Sequence, residues 1–552
     1  MEFFDFDREV QKKFNITFSD IPKTDWKNWL RISSMEEFEN LALKLSSLDK
    51  ITDIFERVKK EKIESRSFAV NLDSYINEYR GLNPLVMIHT SGTTNSSLAG
   101  IKWFHMTKSI VSKLWAPGMQ AIFESSNLSS DRSVVIFVPS RLMLDGIQKL
   151  ENKEYISLYS SEFSQRIMLS IINPLSYLLY EYKDSKKLDV ISKILSLKNL
   201  SVISAPAATI LGWADIDKLR LGLKKSLEFH TKNISPQLEN LLTLIDKEGF
   251  NDASIKIQKM LSEKVSKATL IFSSSSLNLN QWDLIRNFMK WKKGAERYTN
   301  LYVGSEIGPF ASSLGDYDIA RSNKMYVFPL TLPVLEYRKN LNLITRSTNT
   351  VGKLLISRLN DLNPLINIDT GDIIILDNQQ NTPLIGGDIF RAGFHLKYPI
   401  KISDKIKIPK NSLIYVGDFF ALRDFDIFAP RYLLDCLIID CQFQTDSLLM
   451  VGAENIEDPW NLILPFNKES SCKNLNEVLK TIGNCPKAKE IKKAIQNNNL
   501  RLKLINEQPI DFMATRSEIL SKVQKGDTPK GILKRWPLYL IVPTSNSTDF
   551  GF

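Results

Sequence analysis

A chain of 552 residues, 43% hydrophobic and 24% charged, is long enough for two or three domains around a large buried core. Its net charge of +10 and pI near 9.1 favour an anionic partner. The absence of any run of about 18 uncharged apolar residues excludes a membrane span.

The start, MEFFDFDREVQKKF, lacks the basic, apolar, small-residue order of a signal peptide, so the expected location is cytoplasmic. The first 80 residues read as helical, with amphipathic runs over 35–48 and 51–63. LVMI (85–88) and SVVIFVPS (133–140) read as buried strands, and PLSYLLYEYKDSKKLDVISKILSL (174–197) as a helix. LSVISAP (200–206) is strand-like, and the lysine-containing stretch 207–266 is helical and reads as an insertion. ATLIFSSSS (268–276) ends an apolar run in hydroxyls before the helical QWDLIRNFMKWKKG. Strand, loop and helix in alternation predict an α/β fold with mainly parallel sheets, with ligands at the carboxyl ends of the strands. From about 326 the pattern turns to short strands, predicting a β-rich subdomain. The domains expected are a large one over 1–416 and a small α+β one over 417–552.

Lysines in stretches such as KLRLGLKKSLEFHTK carry no interleaved aromatics. They read as a solvated basic face rather than a nucleic-acid surface, and a polyanionic small substrate fits the same charge. Cys436, Cys441, Cys472 and Cys485 form no CxxC pair, so buried thiols are expected rather than disulfides or zinc. Only four histidines leave little for imidazole metal sites, and His105 reads as a packed or surface residue.

MIHTSGTTNSSLAGIKWFHMT (87–107) places Thr90, Ser91, Gly92, Thr93 and Thr94 directly after an apolar run. Hydroxyls and flexible backbone there can surround phosphate oxygens with donors; an ordinary solvated turn has the same composition. Four further stretches follow in order: SSSSLNLNQW (273–282), YVGSEIGPF (302–310), INIDTGD (366–372) and GDTPKGILKRW (526–536). Singly they have plain readings: Ser305-Glu306 as a helix N-cap pair, Asp372 as a turn residue, Lys530 as surface charge in a basic tail.

Taken in order, the five resemble the motifs of the adenylate-forming superfamily of acyl-CoA synthetases, adenylation domains and luciferases. The early position of the first stretch is similar to the phenylacetate-CoA ligase and acyl-protein synthetase branches. The resemblance implies a small mobile C-terminal domain and an ATP- and Mg2+-dependent ligase. Such an enzyme activates an aryl or acyl carboxylic acid as acyl-adenylate, releases pyrophosphate, and passes the acyl group to CoA, a carrier-protein thiol or an amine. It further implies that Thr90 to Thr94 and Lys102 hold pyrophosphate oxygens, with Ser275 and Ser276 in the adenine loop. Tyr302 would lie against adenine and Ser305 near the α-phosphate. Glu306 would hold Mg2+, a hard cation that prefers oxygen ligands. Asp372 would accept from the ribose hydroxyls, and Lys530 or Lys534, neither at the family spacing, would stabilise charge in the transition state. The acid pocket would lie between 133–145, Ser204 and the SSSS loop.

The sequence departs from that pattern in places. Asn95 and Val303 replace glycines, Asp369 replaces an arginine, and Lys102 comes several residues late. Asp418 takes the hinge arginine's position, with Arg423 as a substitute, and the glycine-containing loop that lines a pantetheine tunnel in CoA users is missing. The alternative reading is a catalytically degenerate relative that binds a nucleotide or a partner.

Overall fold

The structure is a computed structural model and describes residues 3–32, 34–46, 86–89, 103–139, 146–150, 153–227, 235–272, 277, 279–322, 324–337, 340–343, 351–358, 365–375, 384–385, 388–391, 394–395, 401–417, 420–422, 425–428, 430–443, 445, 447–455, 457–466, 469–485, 488–510 and 538–544. Two amphipathic helices, α1 (Phe3–Phe14) and α2 (Met35–Ser46), lead the chain as expected; the predicted helix over 51–63 lies outside the described residues. β1 (Val86–His89) pairs antiparallel with β2 (Trp103–Met106). After α3 (Ala116–Ser125), β3 (Ser133–Val138) opens the main sheet. β4 (Gly146–Leu150) and β5 (Lys153–Tyr159) return to the first pair, giving the order β2-β1-β5-β4 with β1 and β5 parallel. The following helix, α4 (Ser160–Ile172), anchors α1: Arg166 sits between Asp7 and Glu162, 2.9 Å from each, and all three are buried.

β6 (Ser176–Glu181), β7 (Leu200–Ser204), β8 (Thr269–Phe272) and β9 (Tyr298–Gly304) join β3 as a parallel set. The apolar runs VVIFV and TLIF are buried throughout, as a sheet covered on both faces requires. β6 corrects the helical reading of 174–197: SYLLYE pairs with β3 as a half-exposed edge strand, where its Tyr and Leu side chains suit a pleated surface. Helix begins only at α5 (Leu188–Ser196).

The stretch 207–266 is helical as expected, as α6 (Ala207–Ala214), α7 (Ile216–Leu227), α8 (Pro236–Glu248) and α9 (Phe250–Val265). It is the crossover from β7 to parallel β8. Trp213, Leu223, Leu241 and Ile257 lie in the core cluster with Ile203 and Leu270, so the stretch covers the sheet as part of its core. α10 (Leu279–Phe288) adds to the same layer.

β10 (Gly308–Ser312) and β11 (Met325–Val327) extend the sheet antiparallel. β12 (Thr331–Tyr337), β13 (Asn340–Leu343), β14 (Val351–Arg358) and β15 (Leu365–Ile375) form the expected β-rich unit, to which β17 (Asp388–Arg391) adds an edge; β16 (Leu384–Ile385) closes the main sheet. The order of the main sheet is β16-β11-β10-β9-β8-β7-β3-β6 and of the third sheet β13-β12-β14-β15-β17.

The C-terminal sheet combines β18 (Phe394–His395), β19 (Ser412–Gly417), β22 (Leu448–Val451), β23 (Trp460–Pro465), β24 (Leu500–Ile505) and β25 (Leu538–Pro543), in the order β18-β19-β25-β22-β23-β24. β20 (Phe420–Leu422) and β21 (Phe425–Phe428) make a separate hairpin. β18 precedes residue 417 and β19 ends on it, so the expected boundary at 416/417 falls within β19. α11 (Pro430–Cys441), α12 (Leu475–Asn484) and α13 (Lys489–Gln496) contribute the core against it.

The cysteine expectation is also corrected. Cys436 is bonded to Cys485 and Cys441 to Cys472, with Cα separations of 6.4 and 4.8 Å. Spacing conceals this because α11 and α12 are remote in sequence but packed together, which brings both pairs within bridging reach. Among the described residues no helix is long and apolar enough to cross a membrane.

Candidate functional site

β9 carries the third motif to the carboxyl edge of the parallel strands, where a tight turn, Ser305 to Ile307, returns the chain as β10. The turn explains why the glycine stands at 304 and Val303 is tolerated. Gly304 pairs with Gly308, and a Cβ at 304 would lie 2.9 Å from Ile307 Cγ1. Gly308 has φ +74°, in the left-handed region, where a side chain would press on Leu114. The carbonyl of Glu306 accepts a 2.9 Å hydrogen bond from Nη1 of Arg358, a fully buried side chain at the end of β14. Arg358 therefore fixes the backbone that presents Glu306, whose side chain is half-buried.

The Ser305 and Ser160 hydroxyls lie 2.6 Å apart. Ser160 begins α4, directly after Tyr159, which is the register partner of His89 in the parallel β1–β5 pair. Buried His89 stacks on Tyr159 (5.7 Å, 24°), and the Tyr159 hydroxyl donates to Pro139 O just beyond β3 (2.9 Å). The carboxyl ends of β1, β5, β3 and β9 are thereby drawn to one place, and it is from His89 that the chain enters the hydroxyl-rich stretch.

Thr-Gly-Asp is a bulge in β15. Asp369 faces Leu355 and Ile373 faces Lys353, so residues 370–372 oppose the single residue Leu354. The Thr370 hydroxyl staples the bulge, donating to Leu354 O (2.8 Å) and accepting from the Asp372 amide (3.2 Å). Asp372 is buried, and its carboxylate accepts a hydrogen bond from the Tyr302 hydroxyl. Edge-on contact with Phe310 (5.3 Å, 80°) sets the Tyr302 ring. Asp369, the anion standing where the resembled pattern has a cation, is matched across the strand pair by Lys353 at 2.6 Å, both being mostly buried.

Tyr302, Ser305, Glu306 and Asp372 thus share one region. Ser204 ends β7 on the same carboxyl edge. His105 is packed within β2. Thr90, Ser91, Gly92, Thr93, Thr94, Lys102, Ser275, Ser276, Asp418, Arg423, Lys530 and Lys534 lie outside the described residues. Among the described residues no group of three or more His, Cys, Asp or Glu could hold a metal ion by itself. Glu306 suits a cation shared with substrate phosphates, the usual Mg2+ arrangement of one or two carboxylates plus phosphate oxygens.

Sequence reasoning missed Ser160, Arg358 and Lys353. Ser160 had a readable signal: YISLY running into Ser160-Ser161 repeats the strand-then-hydroxyl pattern of 268–276. Arg358 and Lys353 had none, because their roles depend on which strand lies beside which.

No protein-family model matches the sequence, and no curated protein matches it. Solved structures are similar to it. One is a 2-hydroxyisobutyryl-CoA ligase in an open conformation with 2-HIB-AMP and CoA (9% identity, 91% of this chain and 87% of that one, TM-score 0.44). Another is the GH3.15 acyl acid amido synthetase (11%, 96% and 97%, 0.44). A third is the amide bond synthetase McbA from Marinactinospora thermotolerans (8%, 76% and 68%, 0.37).

Proposed function

We propose that this chain is an adenylate-forming ligase, dependent on ATP and Mg2+, that activates a carboxylic acid as acyl-adenylate and passes the acyl group to a thiol or an amine. The observation that carries the reading is the direct hydrogen bond between Tyr302 and Asp372, two motif residues 70 positions apart in sequence. It sits beside the turn in which Arg358 and Ser160 hold Glu306 and Ser305.

In this reading a carboxylate oxygen attacks the α-phosphorus of ATP, the P–O bond to the β-phosphate breaks, and pyrophosphate leaves. The acceptor then attacks the acyl carbon and AMP departs. Both early partners are anionic, so the chain's task is in-line positioning and charge neutralisation. Asp372, held by Tyr302, accepts from the ribose hydroxyls, and Ser305 donates near the α-phosphate. Glu306 would hold Mg2+, whose contribution is to neutralise phosphate charge. Thr90 to Thr94 with Lys102 would cradle the pyrophosphate, and Ser275 and Ser276 would flank adenine. Lys530 or Lys534 would be delivered by a mobile C-terminal domain hinged near Asp418 and Arg423. The Lys353–Asp369 pair supports turnover over degeneracy, since it neutralises the most adverse substitution in the motif set. The apolar sequence of 133–145 suits an aryl or acyl acid, and CoA, a carrier-protein thiol or an amine would accept it. A cytoplasmic location belongs to this reading, but the two disulfides are unusual for a reducing compartment.

The test is pyrophosphate release from ATP and Mg2+, with hydroxylamine as surrogate acceptor, across aryl, fatty and amino acids. Release that depends on one acid is the expected result. ATP binding with no release for any acid would overturn the reading in favour of a nucleotide-binding relative.

A further inference from the structure

Beyond the carboxyl end of edge strand β6, the short segment 182–187 carries Lys183, Lys186 and Lys187. Lys183 is paired with Glu181 (2.7 Å) and Lys187 with Asp184 (2.8 Å). Lys186 has no such partner among the described residues, yet it is the best held of the three. Its stem passes between Gly212 of α6 and Gly222 of α7. A Cβ at 222 would lie only 2.4 Å from Lys186 Cβ, and one at 212 would lie 3.5 Å from Cδ and 3.9 Å from Nζ. A mid-helix glycine costs about 1 kcal/mol relative to alanine, and at 222 this close approach requires it.

The segment is tied on both sides. The buried Trp213 indole donates to Ser185 O (2.9 Å), and the Leu188 amide donates to Ser226 Oγ (3.1 Å).

Gly222 lies on one face of α7 with Lys218 before it and Lys225 after it, four and three positions away, so both flank the slot that Lys186 occupies. The nearby carboxylate, Asp215, is already engaged by Lys218 Nζ (2.8 Å) and by the amides of Asp217 and Lys218. Lys186 therefore lies within electrostatic reach of Lys218 and Lys225, and the carboxylate that offsets their charge is already engaged. Burial first, then the charges of Lys218 and Lys225, hold the Lys186 amine below the usual lysine range. A bound anion would relieve that repulsion.

We propose that Lys186, Lys218 and Lys225 form a binding site for a phosphate-bearing anion, separate from the site around Asp372. In the main sheet β6 is four strands from β9, about 19 Å at the usual strand spacing. This site and the Ser305 turn therefore cannot grip the same phosphate.

Trace acetylation of the full-length protein, read lysine by lysine by mass spectrometry, tests this with inorganic pyrophosphate and adenosine 3′,5′-bisphosphate as probes. Exposed Lys224 on the same helix is the internal control. Protection scales as 1 + [L]/Kd, so Lys186 should react about tenfold more slowly at a probe concentration near ten times its Kd. Equal protection by both probes would mean that phosphate alone is recognised; stronger protection by the bisphosphate would mean that the nucleoside adds contacts. Lys218→Gln with Lys225→Gln should abolish the protection. Unchanged Lys186 reactivity with both probes at millimolar concentration, or equal slowing of Lys224, would overturn the proposal.

Discussion

The Tyr302–Asp372 contact can be separated from the rest of the proposed nucleotide site by a double-mutant cycle using Tyr302→Phe, Asp372→Asn and the pair. The hydroxyl donates to a carboxylate that is buried, so the bond is charge-assisted and shielded from solvent. Such bonds contribute about 1.5–3 kcal/mol, equivalent to roughly 13- to 160-fold in an equilibrium constant. Tyr302→Phe leaves the ring on Phe310 and removes only the donor. Its cost should therefore appear as a raised KM for ATP, with kcat changed much less, because in the proposed site the hydroxyl would orient a ribose acceptor rather than touch the reacting phosphorus. Pyrophosphate release under varied ATP gives KM and kcat, and calorimetric titration of ATP gives the coupling free energy. A coupling of about 1.5 kcal/mol or more supports the arrangement. Strict additivity, or a fall confined to kcat, would refute the orienting role.

Glu306→Ala should lower Mg2+-dependent pyrophosphate release by about 10²-fold or more while ATP still binds; undiminished release would remove Glu306 from the cation site. Lys530→Ala and Lys534→Ala should differ, one losing about 10²-fold in adenylation and the other little, and two silent variants would dismiss the late lysine altogether. Lys353→Ala should weaken ATP binding by roughly 1–3 kcal/mol by removing the cation that Asp369 faces across the strand pair, with Lys353→Ala/Asp369→Ala recovering most of it; a double variant no better than the single would show the pair to be incidental. Protein purified without reductant should show no free thiol. Breaking the bridges, which close segments of 49 and 31 residues, should cost up to about 4 kcal/mol each in unfolding free energy. Four titratable thiols in that native preparation would refute the pairing.

Much of the parallel core was legible because burial on both faces writes itself as unbroken apolar runs, as in VVIFV and TLIF. SYLLYE was misread because an edge strand is half-exposed, and its short run carries no decisive period. The candidate site was legible only in its motif residues. Tyr302, Ser305, Glu306 and Asp372 announce themselves by type and order, whereas Arg358, Lys353 and Ser160 act through strand neighbours. The cysteines were hidden for the same reason: residues 436 and 485 meet because two helices pack, and no local pattern records that.

The C-terminal sheet has a consequence for how the chain is made. β25 lies between β19 and β22, which do not pair with each other, so the strand at 538–543 joins the two parts of the sheet. Ribosomes deliver it after the other strands of this sheet, roughly 120 residues after β19, on the order of ten seconds at ordinary elongation rates. During that interval β19 and β22 each keep an open edge capable of pairing with another chain. Yield of folded protein should thus depend on translation speed and chaperone supply between β19 and β25, while the parallel sheet, whose strands are synthesised earlier, is spared.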